Sequence, residues 1–186
     1  MHADIDGDGR RDTVRLYDTG KKGDNRIWKV KATTAAGHTS WVTVKIPSYQ
    51  SLTGFYGWAY LDGTRGAEVI LSPLADDFDV FIVLNWRGGA LHRELAPGGY
   101  KEWSAATEID ASGYRFFTAA SGKRYVNDWF ATCPGQPDKP GTCTVKTVRY
   151  VWRGGAWHKS ATLPKTKVAN TEIYARGPLG ALKIHH

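Results

Sequence analysis

The sequence predicts an all-β protein of about three four-stranded repeats, and three observations carry that prediction. Short runs of β-branched and aromatic residues alternate with Gly-containing turns. No segment sustains a 3.6-residue apolar period with caps at both ends. The same succession of strand, turn and hairpin also returns along the chain. A length of 186 residues with 41% hydrophobic and 23% charged residues is enough for a packed core and excludes disorder. No apolar run approaches the ~20 residues of a membrane-spanning helix.

The first unit, residues 3–50, opens on Ala3-Asp4-Ile5-Asp6-Gly7-Asp8-Gly9-Arg10-Arg11-Asp12 and continues into the strand Thr13-Val14-Arg15-Leu16-Tyr17. Trp28-Lys29-Val30-Lys31 then turns through Ala36-Gly37 into His38-Thr39-Ser40-Trp41-Val42. The second unit, residues 51–98, repeats the aspartate segment as Ala59-Tyr60-Leu61-Asp62-Gly63-Thr64-Arg65-Gly66-Ala67-Glu68. Its hairpin runs from Val80 to Trp86, turns at Arg87-Gly88-Gly89, and returns as Ala90 to Leu95. A Gly-Gly pair supplies the positive φ angles of a tight hairpin. The third unit, residues 99–165, holds a weaker aspartate segment, Thr107-Glu108-Ile109-Asp110-Ala111-Ser112-Gly113-Tyr114. Its hairpin is Val148 to Trp152, Arg153-Gly154-Gly155, then Ala156-Trp157-His158. Pro47-Ser48-Tyr49 and Pro97-Gly98-Gly99 mark the unit boundaries, and residues 166–186 read as a final strand with a tail. Residues 1–186 are expected to form a single all-β repeat domain.

The first aspartate segment carries specific chemistry. Asp4, Asp6, Asp8 and Asp12 occupy positions 1, 3, 5 and 9 of a nine-residue window, with Gly7 and Gly9 between them. Calcium takes six to eight hard oxygens at about 2.3–2.6 Å, usually including a backbone carbonyl, and here the natural carbonyl is that of Arg10. Magnesium prefers fewer protein ligands. An EF-hand would need a bidentate Glu at position 12 and a following helix, but position 12 is Arg15, within a predicted strand. The expectation is a calcium site that stabilises the fold.

Asp-Ile-Asp-Gly-Asp-Gly-Arg-Arg-Asp followed by a strand resembles the calcium loop of FG-GAP/VCBS repeats, which form blades of β-propellers in integrin α subunits and in many secreted bacterial proteins. The resemblance implies Ca2+ ligation by Asp4, Asp6, Asp8, Asp12 and the Arg10 carbonyl. It also implies propeller-blade-like repeats. The second loop departs at Tyr60 and Thr64, and the third offers Glu108, Asp110 and Ser112. Propellers have about four to eight blades, so about three units imply an open or partial architecture, or one completed by a homo-oligomer.

Cys133 and Cys143 flank a loop with three prolines and two glycines. Two thiols closing such a loop predict a disulfide, and hence an oxidising compartment and a secreted protein. No secretory leader precedes the first unit, as expected of a mature form, while Met1-His2 and His185-His186 read as added ends. Net charge is +7; residues 114–186 hold 12 Lys/Arg against 3 Asp/Glu, and residues 1–113 hold 13 against 15. A basic C-terminal portion suits acidic partners, yet no nucleic-acid-binding motif is present.

Candidate site residues are few. His38, His92 and His158 each follow a hairpin turn and suggest repeated structural histidines more than a zinc site. No Gly-x-Ser-x-Gly elbow occurs, and Asp76-Asp77-Phe78-Asp79 is a weak hydrolase signal. No catalytic residue is predicted. Trp103 and Trp129 fall near predicted loops and, with Lys139 in the cysteine-closed loop, are the candidate ligand contacts. The expected function is binding of an extracellular glycan or cell-envelope polymer. The alternatives are a protein-binding module, such as an inhibitor of a secreted enzyme inserting the Pro-rich loop, and a glycan-acting hydrolase.

Overall fold

The hairpin turns supplied by the sequence generate three antiparallel sheets of four to five strands, none closed, in a computed structural model. Residues 1–48, 51–74, 78–106, 110–134, 141–176, 179–180 and 182–186 are described. The first sheet joins β1 (His2–Ala3), β2 (Asp12–Lys22), β3 (Asn25–Thr33) and β4 (Thr39–Pro47) in sequence order. Side chains alternate between faces with a period of two. Val14 therefore lies opposite Ala32, and Leu16 and Val42 flank Val30. That inner face is buried at Val14, Val30, Ala32, Val44 and Ile46.

The second sheet orders β5 (Ser51–Ala59), β6 (Glu68–Leu74), β7 (Phe78–Arg87) and β8 (Ala90–Glu94), and β9 (Trp103–Ala106) also pairs with β7. Its central strands are not alternating: Val69-Ile70-Leu71 and Val80-Phe81-Ile82-Val83-Leu84 are buried without a break. Both faces of these strands are covered, which explains continuous apolar runs. Gly88 and Gly89 take φ of +57° and +82° at the β7–β8 turn, as a two-residue turn with positive φ at both positions requires.

The third sheet orders β10 (Asp110–Thr118), β11 (Arg124–Thr132), β12 (Thr142–Arg153) and β13 (Ala156–Thr162), with β14 (Thr166–Ala169) also on β12. A five-residue helix, α1 (Asn170–Tyr174), follows. Contacts divide the chain into two units. One comprises Met1–Ala75, Phe81–Glu94 and Ile184–His186; the other comprises Asp76–Val80 and Leu95–Lys183. The first unit's core gathers Ile5, Val14, Val30, Ile46, Val69, Leu71, Ile82 and Leu84.

Three sequence expectations change. Asp110, Ser112 and Tyr114 are not a third aspartate turn: residues 110–118 are β10, in register with residues 132–124 of β11. Ladder pairing of an extended chain prevailed over the weak similarity, and Glu108 lies outside the described residues. The tail forms a helical turn after its strand. The first repeat's second strand runs on to Lys22, because Gly23-Asp24 makes a further hairpin turn into β3.

Candidate functional site

The first aspartate loop is closed by its own carboxylates. Gly7 and Gly9 take φ of +78° and +88°, which lets the backbone curl so that N–H groups point inward. Asp4 accepts from Gly7 N–H at 2.8 Å through Oδ1 and from Gly9 N–H at 3.0 Å through Oδ2. Asp6 accepts from Asp8 N–H at 3.1 Å, and Asp8 accepts from Arg10 N–H at 2.8 Å. Asp12 reaches further: Oδ2 accepts from Ile5 N–H (2.8 Å) and Asp6 N–H (3.3 Å), and Oδ1 accepts from Ala35 N–H at 2.7 Å. It ties both ends of the loop to the β3–β4 turn.

Asp4, Asp6 and Asp8 each offer an oxygen within 4.8 Å of the other two. Opposed ligands in a calcium shell at about 2.4 Å lie about 4.8 Å apart, so this donor set fits the ion. Burial raises the Asp6 pKa above the usual carboxylate value, and the charges of Asp12, Asp8 and Asp4 add to the rise. Asp8 moves the other way, because the Arg10 side chain bonds it at 2.7 Å. A cation seated among the three would have to share Asp8 with that guanidinium.

The second loop has the same frame and a different occupant. Leu61 N–H donates to Glu68 Oε2 at 2.7 Å, as Ile5 N–H does to Asp12. Asp62 accepts from Thr64 N–H at 2.6 Å and from its hydroxyl at 2.7 Å. The Arg87 guanidinium enters from β7 and donates to Asp62 Oδ2 at 2.5 Å and Glu68 Oε1 at 3.0 Å, and also to the Thr64 hydroxyl. Asp62, Glu68 and Glu94 are all buried and their oxygens converge. Asn85 donates to Glu94 at 3.0 Å. Burial pushes the Glu68 carboxyl well above its ordinary pKa, and Glu94 and Asp62 add to the rise. The two loops lean on each other: Ala67 N–H donates to the Asp4 carbonyl at 2.8 Å, and a Cβ on Gly66 would stand 2.3 Å from the Ile5 carbonyl oxygen.

A third feature escaped the sequence reading. The outward face of the first sheet carries Thr13, Arg15 and Tyr17 from β2, Lys29, Lys31 and Thr33 from β3, and Trp41, Thr43 and Lys45 from β4. Trp41 is 51% exposed and Tyr17 39% exposed, with ring centroids 5.5 Å apart. Lys31 Nζ lies 5.4 Å from the Trp41 ring centre. A cavity of about 250 Å3 opens on this face, lined by Thr13, Arg15, Lys31 and Thr33. Alternation along β2–β4 was the available signal, since it sets the polar residues of three neighbouring strands side by side.

The other candidates fare unevenly. Trp103 is fully buried, edge-on to Tyr114 at 4.9 Å and to Trp157 at 6.3 Å, so it packs the second unit's core and offers no face to a ligand. Trp129 is also buried, with the Arg176 guanidinium 5.6 Å over its ring. It lines a cavity of about 380 Å3 together with Arg115, Glu172 and Arg176. Lys139, like Asp76 and Asp77, lies outside the described residues. Cys133 and Cys143 are joined in a disulfide. Among the described residues, neither group of three converging metal-ligating side chains includes a histidine. His92 Nε2 instead hydrogen-bonds the Arg87 carbonyl at 3.1 Å.

In the third sheet, burial alone pushes the Asp128 carboxyl up to about 6. Tyr114 rises to about 12, from burial first and the Asp128 charge second. Comparison with known protein families, curated proteins and solved structures returns no match.

Proposed function

We propose that this chain is a secreted, calcium-stabilised β-repeat module that binds an extracellular glycan or cell-envelope polymer. The observation that carries the proposal is the outward face of the first sheet, where Trp41 and Tyr17 stay in water beside threonine hydroxyls and basic groups. Aromatic rings with one polar or wet side suit the apolar face of a sugar, and hydroxyls and cations around them supply hydrogen bonds to its rim. Asp4, Asp6 and Asp8 would hold Ca2+ and brace the loop that leads into β2. That donor set, with three antiparallel sheets of four to five strands, is what supports kinship with FG-GAP/VCBS repeats. The disulfide supports an oxidising, extracellular setting.

The test is co-sedimentation with insoluble polysaccharides and bacterial cell wall, with calcium and again with chelator. Retention is expected in calcium, and Trp41→Ala should reduce it by ~2- to 10-fold, since an aromatic contact contributes on the order of 0.5–1.5 kcal/mol. Retention that ignores Trp41 would remove the face from consideration. A protein-binding role for the segment closed by Cys133 and Cys143 is the second reading, favoured by its covalent closure. Capture of a secreted enzyme, lost on reduction, would establish it.

A further inference from the structure

Resting on the glycan reading above, we infer that the ligand is an acidic polysaccharide. A carboxylate or sulfate group enters the cavity bounded by Thr13, Arg15, Lys31 and Thr33 while a neighbouring sugar ring packs on Trp41. The register makes the juxtaposition. Arg15 on β2 lies directly opposite Lys31 on β3, and Lys31 lies directly opposite Trp41 on β4. One step along, Thr13 lies opposite Thr33, so two cations and two hydroxyls ring one depression.

Like charges placed opposite each other across a strand pair destabilise a sheet. An anion between them turns that repulsion into two charge-assisted hydrogen bonds, and the planar Arg fork fits two oxygens of one oxyanion. None of Arg15, Lys29, Lys31 or Lys45 has a carboxylate partner among the described residues. No acidic residue shares the outward face of β2, β3 and β4 between Thr13 and Tyr17, Lys29 and Thr33, and Thr39 and Lys45. Seven of the fifteen acidic residues in 1–113 sit elsewhere in two groups: the loop of Asp4 to Asp12 and the buried set of Asp62, Glu68 and Glu94. A local conflict of this kind, set in a stable sheet, marks a site more than a scaffold.

The aromatic geometry favours a sugar over successive bases. Lys31 covers one side of Trp41, and Tyr17 lies against it at an interplanar angle of 41°. Trp41 and Tyr17, tilted against each other, make one short aromatic patch on this face. A strand of bases needs several stacking platforms in series.

The test uses the full chain in calcium with hyaluronan and dextran sulfate, each against its uncharged counterpart, carboxyl-reduced hyaluronan and plain dextran. An oligothymidylate serves as a third polyanion. At least one acidic polymer should bind ~10-fold or more tightly than its neutral counterpart. Arg15→Gln with Lys31→Gln should remove ~10-fold or more of that affinity, while Lys159→Gln, one exposed charge on β13, should leave it within ~2-fold. Neutral polymers bound as well as acidic ones, with Trp41 still required, would overturn the inference and leave the glycan reading standing. No polymer bound at all would overturn both. An effect of Lys159→Gln equal to that of the double variant would reduce the binding to diffuse net charge. Tighter binding of oligothymidylate through Arg15 and Lys31 would assign the face to single-stranded nucleic acid instead.

Discussion

Asp12 gives the sharpest test of how the first loop is built. It is 1% exposed and accepts three backbone N–H groups, at 2.8, 3.3 and 2.7 Å. A hydrogen bond to a charged acceptor contributes about 1.5–3 kcal/mol, and a buried donor left unpaired costs about 1–3 kcal/mol. The Asp6 contact is long, so the shorter bonds from Ile5 and Ala35 dominate. Asp12→Ala should therefore lose about 3–5 kcal/mol. Asp12→Asn keeps one acceptor but turns an NH2 group toward N–H donors on the other side, and should lose about 2–3 kcal/mol. The assay is urea unfolding followed by tryptophan fluorescence, read as a shift of midpoint at unchanged slope. It is run in chelator, so that no metal contributes. A loss below about 1 kcal/mol there would refute the staple. So would a loss that appears only when calcium is present, because Asp12 would then act mainly as a metal ligand.

Arg87→Met leaves Asp62 and Glu68 buried without their guanidinium and should cost about 3–5 kcal/mol at neutral pH. The loss should shrink in acid: the folded pKa of Glu68 is raised, so its contribution is full below the unfolded value and fades as pH rises through the folded one. A pH series of urea midpoints that stays flat would contradict this. Asp128 behaves in the same sense. Its folded pKa of about 6 lies above the ordinary carboxyl value of 3.8, so stability falls as pH climbs through that window. Asp128→Asn should then gain about 1–3 kcal/mol above pH 7 and little below pH 4, and an equal effect at both would count against it. Reduction of Cys133–Cys143, which closes a separation of ten residues, should lower stability by about 2–3 kcal/mol on chain-entropy grounds. Midpoints measured with and without reductant check this.

Sequence alternation and paired glycines made the β3–β4, β7–β8 and β12–β13 hairpins legible, because both signals act within a few residues. What stayed hidden depends on partners distant along the chain. Trp103, in the polar stretch Tyr100-Lys101-Glu102-Trp103, reads as a loop aromatic, yet its ring meets Tyr114 and Trp157 in a core that no local pattern announces. The weak aspartate similarity at residues 107–114 misled, since Asp110 and Ser112 belong to β10. The outward face of the first sheet was written in β2, β3 and β4 all along. It becomes a site only once the register sets Arg15, Lys31 and Trp41 in one row.

The two aspartate loops of the first unit solve one electrostatic problem in two ways. Each gathers three carboxylates around a tight turn and pins the turn's entry with a carboxylate seven residues on, Asp12 to Ile5 and Glu68 to Leu61. In the second loop the positive charge is covalently part of the chain, because Arg87 reaches Asp62 and Glu68 from β7. In the first loop Arg10 bonds, among the described acidic residues, Asp8 alone, and Asp6 keeps a pKa raised by burial and by the charge of its neighbours. Opposite charge relieves such crowding, so a cation has more to offer the first loop than the second. Calcium should therefore slow amide exchange at Gly7, Gly9 and Arg10, and at Ala67 through its bond to the Asp4 carbonyl. Thr64, already held by Asp62, should not respond. Equal slowing at Gly9 and Thr64 would mean that calcium acts on the whole unit and that Arg87 does not replace it.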